Sequence, residues 1–389
     1  MKKAVVLGGG IAGVEAAISL RKKHLDVELV SDRDYLFVYP LAIWIPTGER
    51  SFEKTSIRLT DIARVHGFML TIDDVTAVSG AERSFTLSRQ GKREDFDYLI
   101  LAIGAHKMPH KGKEHVRSIC GAPQESLRVK EQLDALIARG SGRIAVGFGG
   151  NPKDPSAVRG GPAFEFLYNV HHLLLKKRMR SRFQLSFFAP MPTPGLRMGE
   201  KAVAMMDRML DAAVIPSYTG KKITEFVEGG VVFEDGSRLE ADLIMFIAAG
   251  DGHAVVKGSD LPQNAAGFVT VLPTCEVAGH PWLYAIGDVA ALEGPEWRAK
   301  QGHVAEVMAR VAANDIARKE TGQGESESYI DDVSILCVMD MGNGAGFVYR
   351  DDRRALFLPM PVVGHWLKWS WGRYFELSKL GKVPRIPGM

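Results

Sequence analysis

A chain of 389 residues that is 46% hydrophobic and 24% charged has the balance of an ordinary globular protein, long enough for two domains and an appendage. A formal net charge of +3 is too small to argue for a nucleic-acid partner. Three scattered cysteines, Cys120, Cys275 and Cys337, exclude a disulfide scaffold or a four-cysteine zinc site, and the histidines show no ligand spacing, so no metal is expected.

Met1-Lys2-Lys3 is followed by only four apolar residues before Gly8, so no secretory leader is expected. No apolar run reaches the roughly 18 to 20 residues that cross a bilayer, which points to a cytoplasmic or membrane-peripheral protein. Ala4-Val5-Val6-Leu7 reads as a buried strand that enters Gly8-Gly9-Gly10-Ile11-Ala12-Gly13, followed by an amphipathic helix from Val14 to about Lys23. In this G-x-G-x-x-G, Gly8 allows the tight turn, Gly10 lets the backbone approach a pyrophosphate and Gly13 lets helix and strand pack closely. The helix start offers unpaired N–H groups and the positive end of its dipole to the phosphates. A second strand, Val27 to Ser31, ends at Asp32, about 20 residues past the glycines, where a ribose-binding acid is expected.

Tyr98 to Ile103 reads as a strand with Ala102 near its end and Gly104 in the turn that follows. Leu283 to Ile286 reads as another, ending in Gly287-Asp288. In two-domain flavoproteins, similar segments return the chain to the first domain, and the Gly-Asp carboxylate accepts a hydrogen bond from the ribityl chain of FAD. FAD is therefore the expected cofactor. Between these segments lies a second strand-helix-strand pattern, with strands at residues 143–148 and 183–188 and a helix at 163–177. Its first strand runs into Gly147-Phe148-Gly149-Gly150-Asn151-Pro152-Lys153-Asp154-Pro155, with two prolines where a nucleotide-binding helix would begin. The next strand ends at Ala189-Pro190, without a residue to hold a ribose, so NADH is not the expected electron donor.

Four further segments carry a family likeness. They are Val30 to Pro40, Gly161-Pro162-Ala163-Phe164-Glu165-Phe166, Lys300-Gln301-Gly302, and Cys337-Val338-Met339-Asp340-Met341-Gly342 with Gly344 to Phe347. Together they resemble the sulfide:quinone oxidoreductase and flavocytochrome c sulfide dehydrogenase family over essentially the whole chain. The resemblance implies that Ser31, Asp32 and Arg33 meet the adenosine half of FAD, that Pro40 approaches its isoalloxazine, and that Lys300 lies beside the pyrimidine end. It also implies that Glu165 moves protons near the flavin. Two cysteines flank the flavin in that family, and Cys337 matches the second. The position of the first, three residues before Pro162, is occupied here by Arg159. Three alternatives follow: Cys120, whose surroundings resemble those of an accessory cysteine, takes the partner's place; Cys337 acts alone with a small sulfur acceptor; or the substrate is not sulfide and Arg159 binds an anion. Cys275 matches no reactive position and reads as structural.

From Pro361 to Lys382 the chain reads as an aromatic, basic, amphipathic helix with its flanks. Val363, Trp366, Leu367 and Phe375 are expected near one face, with Lys368, Arg373, Lys379 and Lys382 supplying charge toward anionic lipid. The alternatives are packing across the two domains or contact with a second copy in a homo-oligomer. The expected fold is α/β, with two tandem Rossmann-like dinucleotide-binding domains plus a C-terminal segment with an amphipathic helix. The expected boundaries are 1–111 and 241–325 for the FAD-binding domain, 112–240 for the second domain and 326–389 for the C-terminal region. The expected activity is oxidation of sulfide or another small sulfur species with reduction of a quinone, peripherally at the cytoplasmic membrane. The alternatives are a type II NADH:quinone oxidoreductase and a flavin electron-transfer subunit of a larger complex.

Overall fold

Strands that are apolar at consecutive positions belong to parallel sheets covered on both faces, and two such sheets frame this protein. The computed structural model, which describes residues 1–385, places Lys3–Leu7 inside a six-stranded sheet. Its spatial order is Glu276–Val277, His280–Ala285, Tyr98–Leu101, Lys3–Leu7, Asp26–Ser31 and Met69–Ile72, parallel except for the first pair. Residues 280–285 thus return beside residues 98–101 after the intervening chain has built a second sheet. That second sheet is parallel, in the order Ser217–Thr219, Phe183–Ala189, Gly142–Phe148 and Leu243–Ile247. The fold is α/β with a C-terminal segment that ends in a helix, as the sequence indicates.

The helix Ile11–Lys22 leaves the first strand and packs against the long helix Gly302–Thr321. In the second sheet the helix after Gly142–Phe148 is displaced: it starts only at Gly161 and runs to Lys176. A short antiparallel pair, His106–Lys107 with Gly250–Asp251, ties the two stretches of chain that pass between the sheets.

The C-terminal region begins with an antiparallel sheet of Ile335–Asp340, Gly344–Arg350 and Ala355–Pro361, and the helix Val363–Lys379 folds back over it. Gly364 permits this close approach, because a Cβ there would sit 2.8 Å from the backbone nitrogen of Ala345. The helix differs from expectation in which face its charges occupy. Lys368 and Lys379 point inward and are 5% and 1% exposed, whereas Val363, Trp366, Leu367 and Trp369 are exposed. Phe375, expected with the outer aromatics, is buried. The Lys379 ammonium pairs with Glu15 at 2.7 Å and with Glu306, and Arg385 also reaches Glu15. Glu15 and Glu306 stand on the helices 11–22 and 302–321 and are both buried, so the Lys379 cation placed between them compensates their charge. Among the described residues, no helix is long and apolar enough to cross a membrane.

Removing a single partner from such a buried network leaves uncompensated charge. Lys379→Met is expected to cost about 3–5 kcal/mol of unfolding free energy. Denaturant melts of the variant against wild type check this, and an unchanged midpoint contradicts it.

Candidate functional site

The Gly8–Gly13 turn is shaped by contacts that leave no room for side chains. Gly8 has φ +116 and its N–H donates to Val30 O at 2.8 Å. A Cβ on Gly8 would strike the Ala102 carbonyl, and one on Gly13 the Gly8 carbonyl. At Gly10 the situation is reversed, since a Cβ there would have no atom within 4 Å. Gly10 is also the N-cap of helix 11–22 and carries no side-chain cap, so the first-turn N–H groups open onto free space. Gly104, with φ +77, likewise faces open space beyond the neighbouring strand.

Ser31 ends the next strand, and its hydroxyl donates to Arg33 O at 2.6 Å, fixing the turn that carries Asp32 and Arg33. Asp32 is exposed, while the Arg33 Nε is buried with no hydrogen-bond partner among the described residues. A buried guanidinium nitrogen without an acceptor is costly, and a nucleotide's oxygens at this strand end would satisfy it. Pro40 lies in the 3-10 turn Tyr39–Trp44, and the Tyr39 hydroxyl donates to Gly121 O at 2.9 Å. Gly287, with φ +68, turns the returning strand into Asp288, whose carboxylate pairs with Arg159. Lys300 is 7% exposed, donates to Ala290 O and lies 4.0 Å from the centroid of the Phe268 ring. Its burial lowers its pKa to about 7. The open glycine turn, the orphaned Arg33 nitrogen and the buried Lys300 fit FAD as the group held here.

A second, buried polar cluster is built on helix 161–176 and the C-terminal region. Glu165, on helix 161–176, pairs with Lys368 of the C-terminal helix and accepts the Asp340 N–H at 2.8 Å. Asn169 donates to both Glu165 O, at 2.8 Å, and Asp340 O, at 3.2 Å. Burial pushes the Glu165 carboxyl up. Burial also works against the Lys368 ammonium, but attraction to Glu165, Cys337 and Asp340 reverses this and raises its pKa. Cys337, in the strand 335–340, lies within electrostatic reach of both, and burial pushes its thiol up to about 12. Cys120 is 5% exposed and its thiol is likewise raised by burial, against the pull of Lys107 and Arg159. Both thiols are therefore neutral at neutral pH. Cys120 and Cys337 form no disulfide, and each lies within the field of Glu165. Cys275 is completely buried.

Several site residues were not singled out by the sequence. The Asp340 carboxylate accepts from Trp44 Nε1 at 3.2 Å and bonds His365 Nδ1 at 2.6 Å, and His365 Nε2 reaches Glu49 at 3.2 Å. Asp340 and Glu49 together raise the His365 pKa to about 9. Glu49, His365 and the Asp340 carboxylate form one chain of contacts leading inward from the partly exposed surface, and Asp340 separately holds Glu165 through its backbone N–H.

The second sheet presents no equivalent nucleotide turn. After Phe148 the loop folds on itself: Asn151 donates to Gly250 O at 2.9 Å, and Asp154 accepts from the Ser156 N–H and hydroxyl at 3.0 and 2.6 Å. A 3-10 turn, Pro155–Ala157, occupies the place of a helix start.

The sequence pattern described as pyridine nucleotide-disulphide oxidoreductase matches residues 2–312. The chain belongs to this family. It is an FAD-dependent oxidoreductase. It is 25% identical to the sulfide-quinone reductase of Aquifex aeolicus over 96% of this chain and 90% of that protein. It is 24% identical to the type II NADH:quinone oxidoreductase Ndh of Mycobacterium tuberculosis over 86% of this chain and 77% of that protein. Among solved structures, the sulfide:quinone oxidoreductase of Aquifex aeolicus superposes with a TM-score of 0.88 at 23% identity, covering 98% of this chain and 92% of that one.

Two outcomes follow from this geometry. Gly10→Val fills the only open glycine of the turn without touching the fold, so the variant is expected to fold yet lose FAD, read from flavin absorbance after desalting. Retained flavin contradicts the placement. His365 is raised from 6.5 to about 9, worth roughly 3 kcal/mol. That stability is fully present below about 6.5 and is lost as pH rises through about 9. The stability difference between wild type and His365→Gln should therefore be largest near pH 6 and shrink through pH 9, as followed by denaturant unfolding.

Proposed function

We propose that this flavoprotein oxidises sulfide or a related small sulfur species and reduces a quinone while resting on a membrane surface. The observation that carries the reading is the buried Glu165–Lys368 pair, supplied in part by the C-terminal helix, with the half-buried Cys337 within its electrostatic reach. The likeness to a protein named sulfide-quinone reductase supports it.

When bound, FAD supplies a two-electron acceptor between the sulfur and the quinone. In the whole reaction, two electrons leave the sulfur, and two electrons with two protons enter the quinone. The chain's own residues manage the protons. Cys337 is neutral and nucleophilic only as thiolate, so its proton must pass to a base. Glu165 is that base, and the Lys368 ammonium compensates the charge that the thiolate acquires. Glu165 then holds that proton while Lys368 stays charged beside it, and the Asp340 backbone N–H keeps Glu165 Oε1 in place. Burial of Glu165 and Lys368 keeps water from competing for their contact.

Membrane contact is assigned to the exposed apolar side chains Leu358, Val362, Val363, Trp366, Leu367 and Trp369, which cover one side of the last strand and helix. With Lys368 and Lys379 turned inward, apolar insertion carries this contact more than attraction to anionic lipid. A type II NADH:quinone activity is the second reading, favoured by the likeness to Ndh and opposed by the self-satisfied loop 149–157.

Anaerobic titration of the bound flavin with sulfide and NADH in parallel tests the reading. Sulfide is expected to bleach the flavin and NADH to leave it oxidised, with Cys337→Ser slowing bleaching by about a hundredfold or more. Rapid bleaching by NADH alone, or undiminished bleaching by sulfide in Cys337→Ser, contradicts it. Replacing Val363 and Trp366 by Asp is expected to weaken flotation with neutral lipid vesicles by about tenfold or more.

A further inference from the structure

The place where the family likeness calls for a first cysteine holds a cation instead. Arg159 stands just before Gly160, the N-cap of helix 161–176, and among the described residues it makes one ion pair, from Nη2 to Asp288. A guanidinium has five N–H donors, so most of its fork remains free. Lys107 stands opposite on the short strand 106–107, which pairs with 250–251, and Met108 N–H donates to Ala249 O at 2.9 Å. Gly250 is the contact point of the two segments: a Cβ there would lie 3.4 Å from Ala157 Cβ and 3.6 Å from Ala105 Cβ. The strand carrying Lys107 is thereby held against the segment that leads to Arg159.

Lys107 is half-buried, and its ammonium has no hydrogen bond or ion pair among the described residues. The acid across the strand pair, Asp251, is taken by Lys257 at 2.6 Å. Asp154, on the same loop as Arg159, is taken by Ser156 and by Asn264 at 3.0 Å. Glu165, the remaining acid in reach of Cys120, is already neutralised by Lys368. Burial and the nearby Arg159 guanidinium lower the Lys107 pKa to about 8, which leaves it charged at neutral pH. Two cations within electrostatic reach of Cys120, with Asp288 as their one counter-ion among the described residues, leave a net positive charge there.

We propose that Lys107 and Arg159 form an anion subsite for the electron donor, which is a small sulfur compound bearing an oxyanion such as a thiosulfonate, sulfonate or carboxylate, with its sulfur toward Cys120. This rests on the reading of the protein as a sulfur-oxidising flavoenzyme and narrows its substrate. The planar fork of Arg159 matches an oxyanion with two oxygens, and the Lys107 point charge neutralises it. Hydrosulfide carries no oxygens for that fork. The arginine in the cysteine's position thus exchanges a sulfur-bonding group for an oxyanion-bonding one.

Thiosulfate is the probe, titrated anaerobically into the FAD-loaded full-length protein and followed by perturbation of the flavin spectrum. Saturable binding is expected in wild type, weakened about tenfold or more in Lys107→Met and Arg159→Met and largely kept in Lys107→Arg. Lys107→Gln serves as a second neutral variant should Lys107→Met not retain FAD. Equal dissociation constants in wild type and the neutral variants, or no thiosulfate response at all, overturn the subsite. Sulfide bleaching is measured on the same samples. Bleaching by sulfide without a thiosulfate response removes the subsite and leaves the sulfur-oxidising reading standing. Saturable, Lys107-dependent thiosulfate binding without sulfide bleaching keeps the subsite and removes sulfide as the donor.

Discussion

Two inward-facing lysines determine where the last helix of this protein lies. A buried ammonium without a carboxylate partner costs several kcal/mol, so a helix that buries two of them has few places to dock. Lys368 must meet Glu165, on the helix of the second sheet, and Lys379 must meet Glu15 and Glu306, on the paired helices of the first. The two lysines are eleven positions apart, about 16 Å along a helix. The helix therefore bridges helix 161–176 of the second sheet and helices 11–22 and 302–321 of the first. Its outer surface is left free of this task, and there the apolar side chains are exposed.

The same constraint sets the electrostatics of the proposed site. A carboxylate buried beside a thiol would keep both protonated, and the lysine brought by the C-terminal helix shifts that balance. Position and reactivity thus depend on one contact. Asp340 links the parts: its N–H holds Glu165, and its carboxylate holds Trp44 and His365. Sheet, 3-10 turn and C-terminal helix meet at that residue.

Local features were legible in the sequence because local sterics impose them. The strand, Gly-rich turn and helix at 3–22 follow from glycines that only one backbone path can use, and the rebuilt loop after Phe148 follows from its prolines. Charged residues of the last helix were not legible in the same way. A lysine on an amphipathic helix reads identically whether it meets lipid, water or a buried acid more than 200 residues away, as Lys368 meets Glu165. His365 and Asp340 lie 25 residues apart on a helix and a strand, so no periodicity joins them. Arg159 was visible as a departure from the family's cysteine, but its pairing with Asp288 and its proximity to Lys107 arise only in the folded chain. Site residues contributed by separate elements are set by tertiary contacts, which sequence patterns of period 2 or 3.6 do not encode.

The central claim is that the Glu165–Lys368 pair acts as one unit that docks the last helix and sets the proton balance of the site. A double-mutant cycle of Glu165→Gln and Lys368→Met, read by unfolding free energy of the FAD-loaded protein, tests it most directly. The account predicts that each single variant costs about 3–5 kcal/mol and that the double variant costs less than their sum by about 2 kcal/mol or more. Additive losses, or single variants as stable as wild type, would contradict it.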